Sequence, residues 1–86
     1  MRRYWIRFTG VSSSLPAGVA LGCGVSSIDI YRALQLVEQV VFEGELPHVA
    51  EVVEDVDLDR LDPNHVLPNI GNLLVEGVWF PLGFQA

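Results

Sequence analysis

Residues 25–47 hold the feature that most narrows the fold: a segment with the start, period and stop of one amphipathic helix. Ser26 is placed to cap it, and Asp29 follows three residues later in a capping-box-like relation, its acid complementing the positive helix end. Val25 before the cap and Ile30 four residues into the helix have the spacing of a hydrophobic staple. Ile30, Ala33, Leu34, Val37 and Val41 fall on one face, and Arg32, Gln35 and Gln39 fall opposite. Gly44 supplies a left-handed stop, and Pro47 prevents resumption. One apolar stripe needs a surface to cover, and the flanking sequence reads as strands.

"YWIRFT" alternates, with Tyr4, Ile6 and Phe8 on one side and Trp5, Arg7 and Thr9 on the other, the period-two pattern of a strand with one buried face. "GVSSSLPAG" is a loop of small and breaking residues. "VALGCGV" forms a short strand in which Gly22 and Gly24 allow close packing or a bulge. In "HVAEVVEDVDL", Ala50, Val52, Val56 and Leu58 are expected to face the core, with Glu54 interrupting the set. Glu51, Val53, Asp55, Asp57 and Asp59 are expected to face outward. "RLDPNHVLPNIGN" is a turn region, and "LLVEGVWFPLG" a last strand closed by Pro81 and Gly83. The order predicts a single domain, residues 1–86, of the α+β class. Its architecture is a small, mainly antiparallel four-stranded sheet with one helix packed on one face (β-β-α-β-β). The helical connection allows the second and third strands to run parallel, and the outer strands are expected to pair antiparallel. A chain of this length buries only about 60% of its unfolded surface. Half of its residues are hydrophobic, enough for a packed core without staples.

Charge excludes several classes of partner. The chain has 5 basic residues, all arginine, against 11 acidic ones, for a net charge of −6. Arg2, Arg3 and Arg7 lie in the first strand, which leaves the remainder strongly acidic. Phosphate backbones and anionic lipids both reward basic clusters, so neither nucleic acid nor a membrane surface is an expected partner. No stretch approaches the roughly 20 apolar residues of a membrane span. The start "MRRYWIRFTG" lacks the apolar run of a signal peptide. A cytoplasmic location is expected, and a single cysteine fits a reducing compartment. A mean hydropathy of +0.35 points either to a dense core or to an apolar interface, including that of a homodimer.

The stretch "EVVEDVDLDRLD" concentrates Glu51, Glu54, Asp55, Asp57, Asp59 and Asp62. Asp55, Asp57 and Asp59 match the first three ligand positions of a calcium loop, but Arg60 stands at the obligatory glycine and Val66 at the twelfth position. In a strand the three aspartates would project on one side, where two could hold a hydrated magnesium ion; a solvated face is the simpler reading. Cys23 lies between glycines ahead of a helix start, where a thiol can be activated, with His48 or His65 as a base. No spacing joins those groups, and a cysteine beside glycines reads as a small packed residue. Gly22-x-Gly24 opens like a dinucleotide fingerprint, but Ser27 replaces its third glycine. No cofactor, metal or catalytic residue is therefore assigned.

The acidic strand, the "NHVLPNIGN" turn and the "GVWFP" end together resemble small bacterial single-domain proteins of the immunity type, which neutralise a toxin delivered between cells. The resemblance implies a non-enzymatic protein that binds a cognate toxin domain and blocks its active site. Toxins acting on nucleic acids, nucleotides or NAD present basic clefts, which an acidic strand would fit. The expected partner-binding residues are Glu51, Val53, Glu54, Asp55, Asp57, Asp59, Asp62 and Trp79, the last being either core or an interface anchor. The alternatives are a small enzyme using Cys23 or an aspartate-bound metal, and a structural homodimeric subunit.

Overall fold

The computed structural model describes residues 1–9 and 19–84. The expected loop "GVSSSLPAG" lies outside them. Strands β1 (Arg2–Thr9), β2 (Cys23–Ser27), β3 (His48–Glu54) and β4 (Gly77–Phe80) form one sheet in the order β3-β1-β2-β4. All three neighbouring pairs are antiparallel, and helix α1 (Ile30–Val40) joins β2 to β3. This is the α+β architecture that the patterning predicts. β2 and β3 do run in the same direction, but β1 lies between them.

Alternation along β1 sends Tyr4 and Ile6 to the helix side, where they meet Cys23, Val25, Ala33, Val37 and Val78. The other side was expected to face solvent; Arg7 and Thr9 do, and Trp5 does not. Trp5 is 6% exposed and packs with Trp79, Phe80, Val56, Leu61 and Val66 in a second core. The segment between β3 and β4 folds back over this side through 3-10 turns at Leu58–Arg60 and Leu67–Asn69. The interior of the sheet is thus covered on both faces, by α1 on one and by an irregular segment on the other, while β3 stays exposed.

The second core depends on glycine. A Cβ built on Gly24 would lie 2.3 Å from the Trp79 ring, and one on Gly22 would lie 2.8 Å from the Trp5 ring. Gly22 also sits at φ +136°, a conformation that side chains rarely adopt. A register shift between Gly24 and Val25 brings consecutive residues Trp79 and Phe80 to the same core. The Trp5 ring centroid lies 6.1 Å from that of Trp79 and 5.4 Å from that of Phe80, within the range of favourable aromatic pairs. The glycines therefore admit indole rings on this face, while Cys23 and Val25 meet the helix on the other.

Several boundaries differ from those expected. Ser26 does not cap the helix: it lies in β2 opposite Arg3, and its hydroxyl donates to the Leu73 carbonyl at 2.8 Å. Asp29 is the cap, its Oδ1 accepting from the Arg32 backbone N–H at 2.8 Å. Ladder pairing and burial hold Ser26 and Ser27 in the strand, so the Val25–Ile30 staple cannot form. Gly44 does take the left-handed stop, at φ +98°, donating to the Glu38 carbonyl. Ala33 and Val37 are fully buried, whereas Leu34 is half-buried at the margin of the helix's inner face. β4 starts only at Gly77, because the preceding residues form turns.

The placement of β3 is the largest departure. It is an edge strand in which no residue is buried, and α1 packs over β2 and β4 instead. Ala50 and Val52, expected in the core, are exposed; Leu58 is half-buried beyond the strand; Val56 is buried, but in the second core.

Gly24→Ala is expected to destabilise the protein by at least the roughly 1–3 kcal/mol of an overpacked core. Leu34→Ala should cost less than the roughly 2–5 kcal/mol of a fully buried leucine. Denaturant unfolding of the two variants beside the parent chain measures both.

Candidate functional site

The acidic run begins in β3 and leaves it. Pairing with β1 sets Glu51 opposite Arg7, Val53 opposite Trp5 and Glu54 opposite Tyr4, so Glu51 and Glu54 project from opposite faces of the edge. At Asp55 the backbone turns left-handed, φ +54°, and the strand ends. The shared outward side expected for Glu51, Val53, Asp55, Asp57 and Asp59 therefore stops at Val53. Asp57 caps the first 3-10 turn, accepting from the Asp59 N–H at 3.0 Å. Asp62 Oδ1 accepts from the backbone N–H groups of Asn64 at 2.8 Å and His65 at 3.2 Å, and its Oδ2 meets His65 Nδ1 at 2.9 Å.

Arginines of β1 meet the first three acids. Arg2 bridges Glu54 and Asp55, at 2.8 Å from the latter, and Arg7 lies 3.7 Å from Glu51. All of these side chains are more than half exposed, so each pair contributes only about 0–1 kcal/mol. Asp59 is exposed and makes no side-chain contact of this kind among the described residues. The run and its neighbours thus hold six carboxylates against Arg2, Arg7 and Arg60, leaving three negative charges in excess. Exposed Val52 and Val53, at 39% and 37%, lie beside them.

Trp79, expected as core or as interface anchor, is fully buried. Its indole Nε1 has no hydrogen-bond partner among the described residues. The edge position of β3 left no trace in the valine-rich sequence, which reads equally well as a central strand. Only the density of Glu and Asp hinted that the strand was not covered.

No group of three or more His, Cys, Asp or Glu side chains among the described residues is arranged to hold a metal ion. The three aspartates of the calcium-like spacing diverge, because Asp55 turns to Arg2 while Asp57 turns back to its own 3-10 turn. Cys23 begins β2 and is wholly buried, and burial pushes its thiol up to about 12. It lies in a strand rather than at the helix N-terminus. No helix among the described residues is long and apolar enough to cross a membrane. Comparison with protein-family models, with curated proteins and with solved structures finds no match in any of the three.

Native Cys23 is expected to resist a thiol reagent at neutral pH and to react at the normal rate once the chain is unfolded. Its raised value also means that the folded state holds the proton more tightly than the unfolded one. That contribution to stability is complete below the ordinary thiol range and is lost as pH rises toward about 12. Asp62 behaves oppositely. The N–H of Asn64, then the His65 side chain, holds its carboxyl below the ordinary value of 3.8. Its contribution is present above that value and disappears as pH falls through the lowered one. The melting-temperature gap between the parent chain and Asp62→Ala should therefore be widest near neutral pH and narrow as pH falls below the ordinary carboxylate value.

Proposed function

We propose that this chain is a non-enzymatic binding protein that receives a basic protein partner along the outer edge of β3 and the acidic turn that follows. The observation that carries the reading is the edge itself: a seven-residue strand with no buried residue, presenting two valines among carboxylates. An open edge offers unpaired backbone groups to an incoming extended segment, which would gain main-chain hydrogen bonds by joining the sheet. The ion pairs to Arg2 and Arg7 do not oppose this. They are exposed and individually weak, so a partner's arginine or lysine can replace them at little cost. The excess negative charge would steer encounter, raising association toward about 10⁸ M⁻¹s⁻¹ at low salt.

Glu51, Val53, Glu54, Asp55 and Asp59 are the contact residues of this reading, with Asp57 and Asp62 shaping the turn beside them. Trp79, named beside them as a possible anchor, is buried in the second core and is not a contact residue. A specific interface buries roughly 1,200–2,000 Å² in total, so Val52 and Val53 would contribute apolar area alongside the charges. Self-association through the same edge is disfavoured, because a two-fold axis would set one set of carboxylates against its copy. Neutralisation of a bacterial toxin is the purpose proposed. It rests on the resemblance of the acidic strand, the following turn and the "GVWFP" end to immunity-type proteins, and on the fit of an acidic edge to a basic cleft.

The test is recovery of the tagged chain with its bound partner from the source cells, followed by kinetics on the purified pair. The expected result is a stoichiometric complex with a basic protein whose association slows as salt is raised. Val53→Lys combined with Asp59→Lys, which breaks neither an ion pair to Arg2 or Arg7 nor the Asp57 cap, should leave the circular dichroism spectrum unchanged and abolish the complex. An unchanged association rate and salt slope in that variant would refute the edge as the binding surface.

A further inference from the structure

At the end of the sheet where β1 begins and β2 ends, a cavity of about 610 Å³ opens to solvent. Its size lies within the roughly 300–1,000 Å³ of small-molecule sites. Met1, Leu73 and Leu74 supply apolar wall, and Ser26, Asn72 and Arg3 supply the polar part. No acidic side chain lines it among the described residues. Leu74 is 86% exposed and Met1 65%, so the mouth is apolar as well.

Arg3 is the unusual member. Arg2, Arg7 and Arg32 each face a carboxylate, and Arg60 stands exposed on a surface turn. Arg3 is half-buried, and its guanidinium has no hydrogen bond or ion pair among the described residues. This occurs in a chain with more than twice as many acidic residues as arginines. Its guanidinium carries five donors in a planar fork that matches a carboxylate, and no protein acceptor among the described residues competes for them. The Ser26 hydroxyl is already committed to the Leu73 carbonyl, which fixes the wall beside Arg3 rather than satisfying it.

We propose that this cavity binds a small amphipathic monocarboxylate, its anionic head on the Arg3 guanidinium and its apolar body along Leu73, Leu74 and Met1. The two requirements are joint. An inorganic anion would leave the leucines wet, and a neutral apolar molecule would bury the guanidinium without a counter-charge. The site needs no protein partner, so its test is independent of the proposal for the β3 edge.

Octanoate, octanol and acetate separate the head from the tail. Titrated below octanoate's aggregation threshold and followed by calorimetry and melting temperature, octanoate should bind saturably at one site per chain and raise the melting temperature. Acetate and octanol should do neither at the same concentrations. Arg3→Gln should weaken octanoate at least about tenfold, as loss of a charge-assisted pair does, while Arg3→Lys should retain part of the affinity. Leu74→Gln, at a position too exposed to matter for folding, should weaken octanoate as well. Equal binding of octanol and octanoate, unchanged binding in Arg3→Gln, or no saturable binding of octanoate to the parent chain would each overturn the proposal.

Discussion

The contact between Gly24 and the Trp79 ring is the constraint on which the rest of the structure depends. β2 is an interior strand, and its glycine leaves room for an indole to lie directly on the backbone. That single close approach sets the register shift between β2 and β4, brings Phe80 to the same side as Trp79, and places both against Trp5. Once this aromatic cluster occupies the face, Val56, Leu61 and Val66 have an apolar surface to cover, and the segment between β3 and β4 is ordered by covering it. In so small a domain, two thin cores replace the one thick core that the chain is too short to build.

The same arrangement decides the fate of β3. With α1 spread over β2 and β4, no element among the described residues covers the outermost strand on the helix side. Its Glu51 and Glu54 make the exposed position tolerable, since charge on an edge discourages pairing with another copy of itself. That device permits a partner of opposite charge. Arg2 and Arg7 moderate the field without cancelling it, so the edge remains acidic while its strand stays bound to β1.

Much of this was legible in the sequence. The period of α1, its glycine stop, the alternation in β1 and the turn chemistry of Asp62-Pro63-Asn64 are local signals, and each is found where its residues stand. The helix start was misplaced by three residues because Ser26 and Asp29 are both good caps. The choice between them belongs to the β1–β2 ladder, which holds Ser26 opposite Arg3. The acidic residues were identifiable as a group, but their common face was not, because a left-handed Asp55 ends the strand within the run. The cavity beside Arg3 had no sequence signal, being assembled from three distant segments.

Sequence alone determined the class of the fold, the number of elements and the sign of the surface charge, because these follow from local periodicity, capping residues and composition. Tertiary structure decided which strand lies at the edge, that Trp79 is core, that both faces of the sheet's interior are covered, and which arginines meet carboxylates. The physical reason is range. Alternation tells which side chains share a face of a strand. Whether that face is covered depends on segments dozens of residues away, and on the few ångströms of clearance that Gly22 and Gly24 leave for two tryptophan rings.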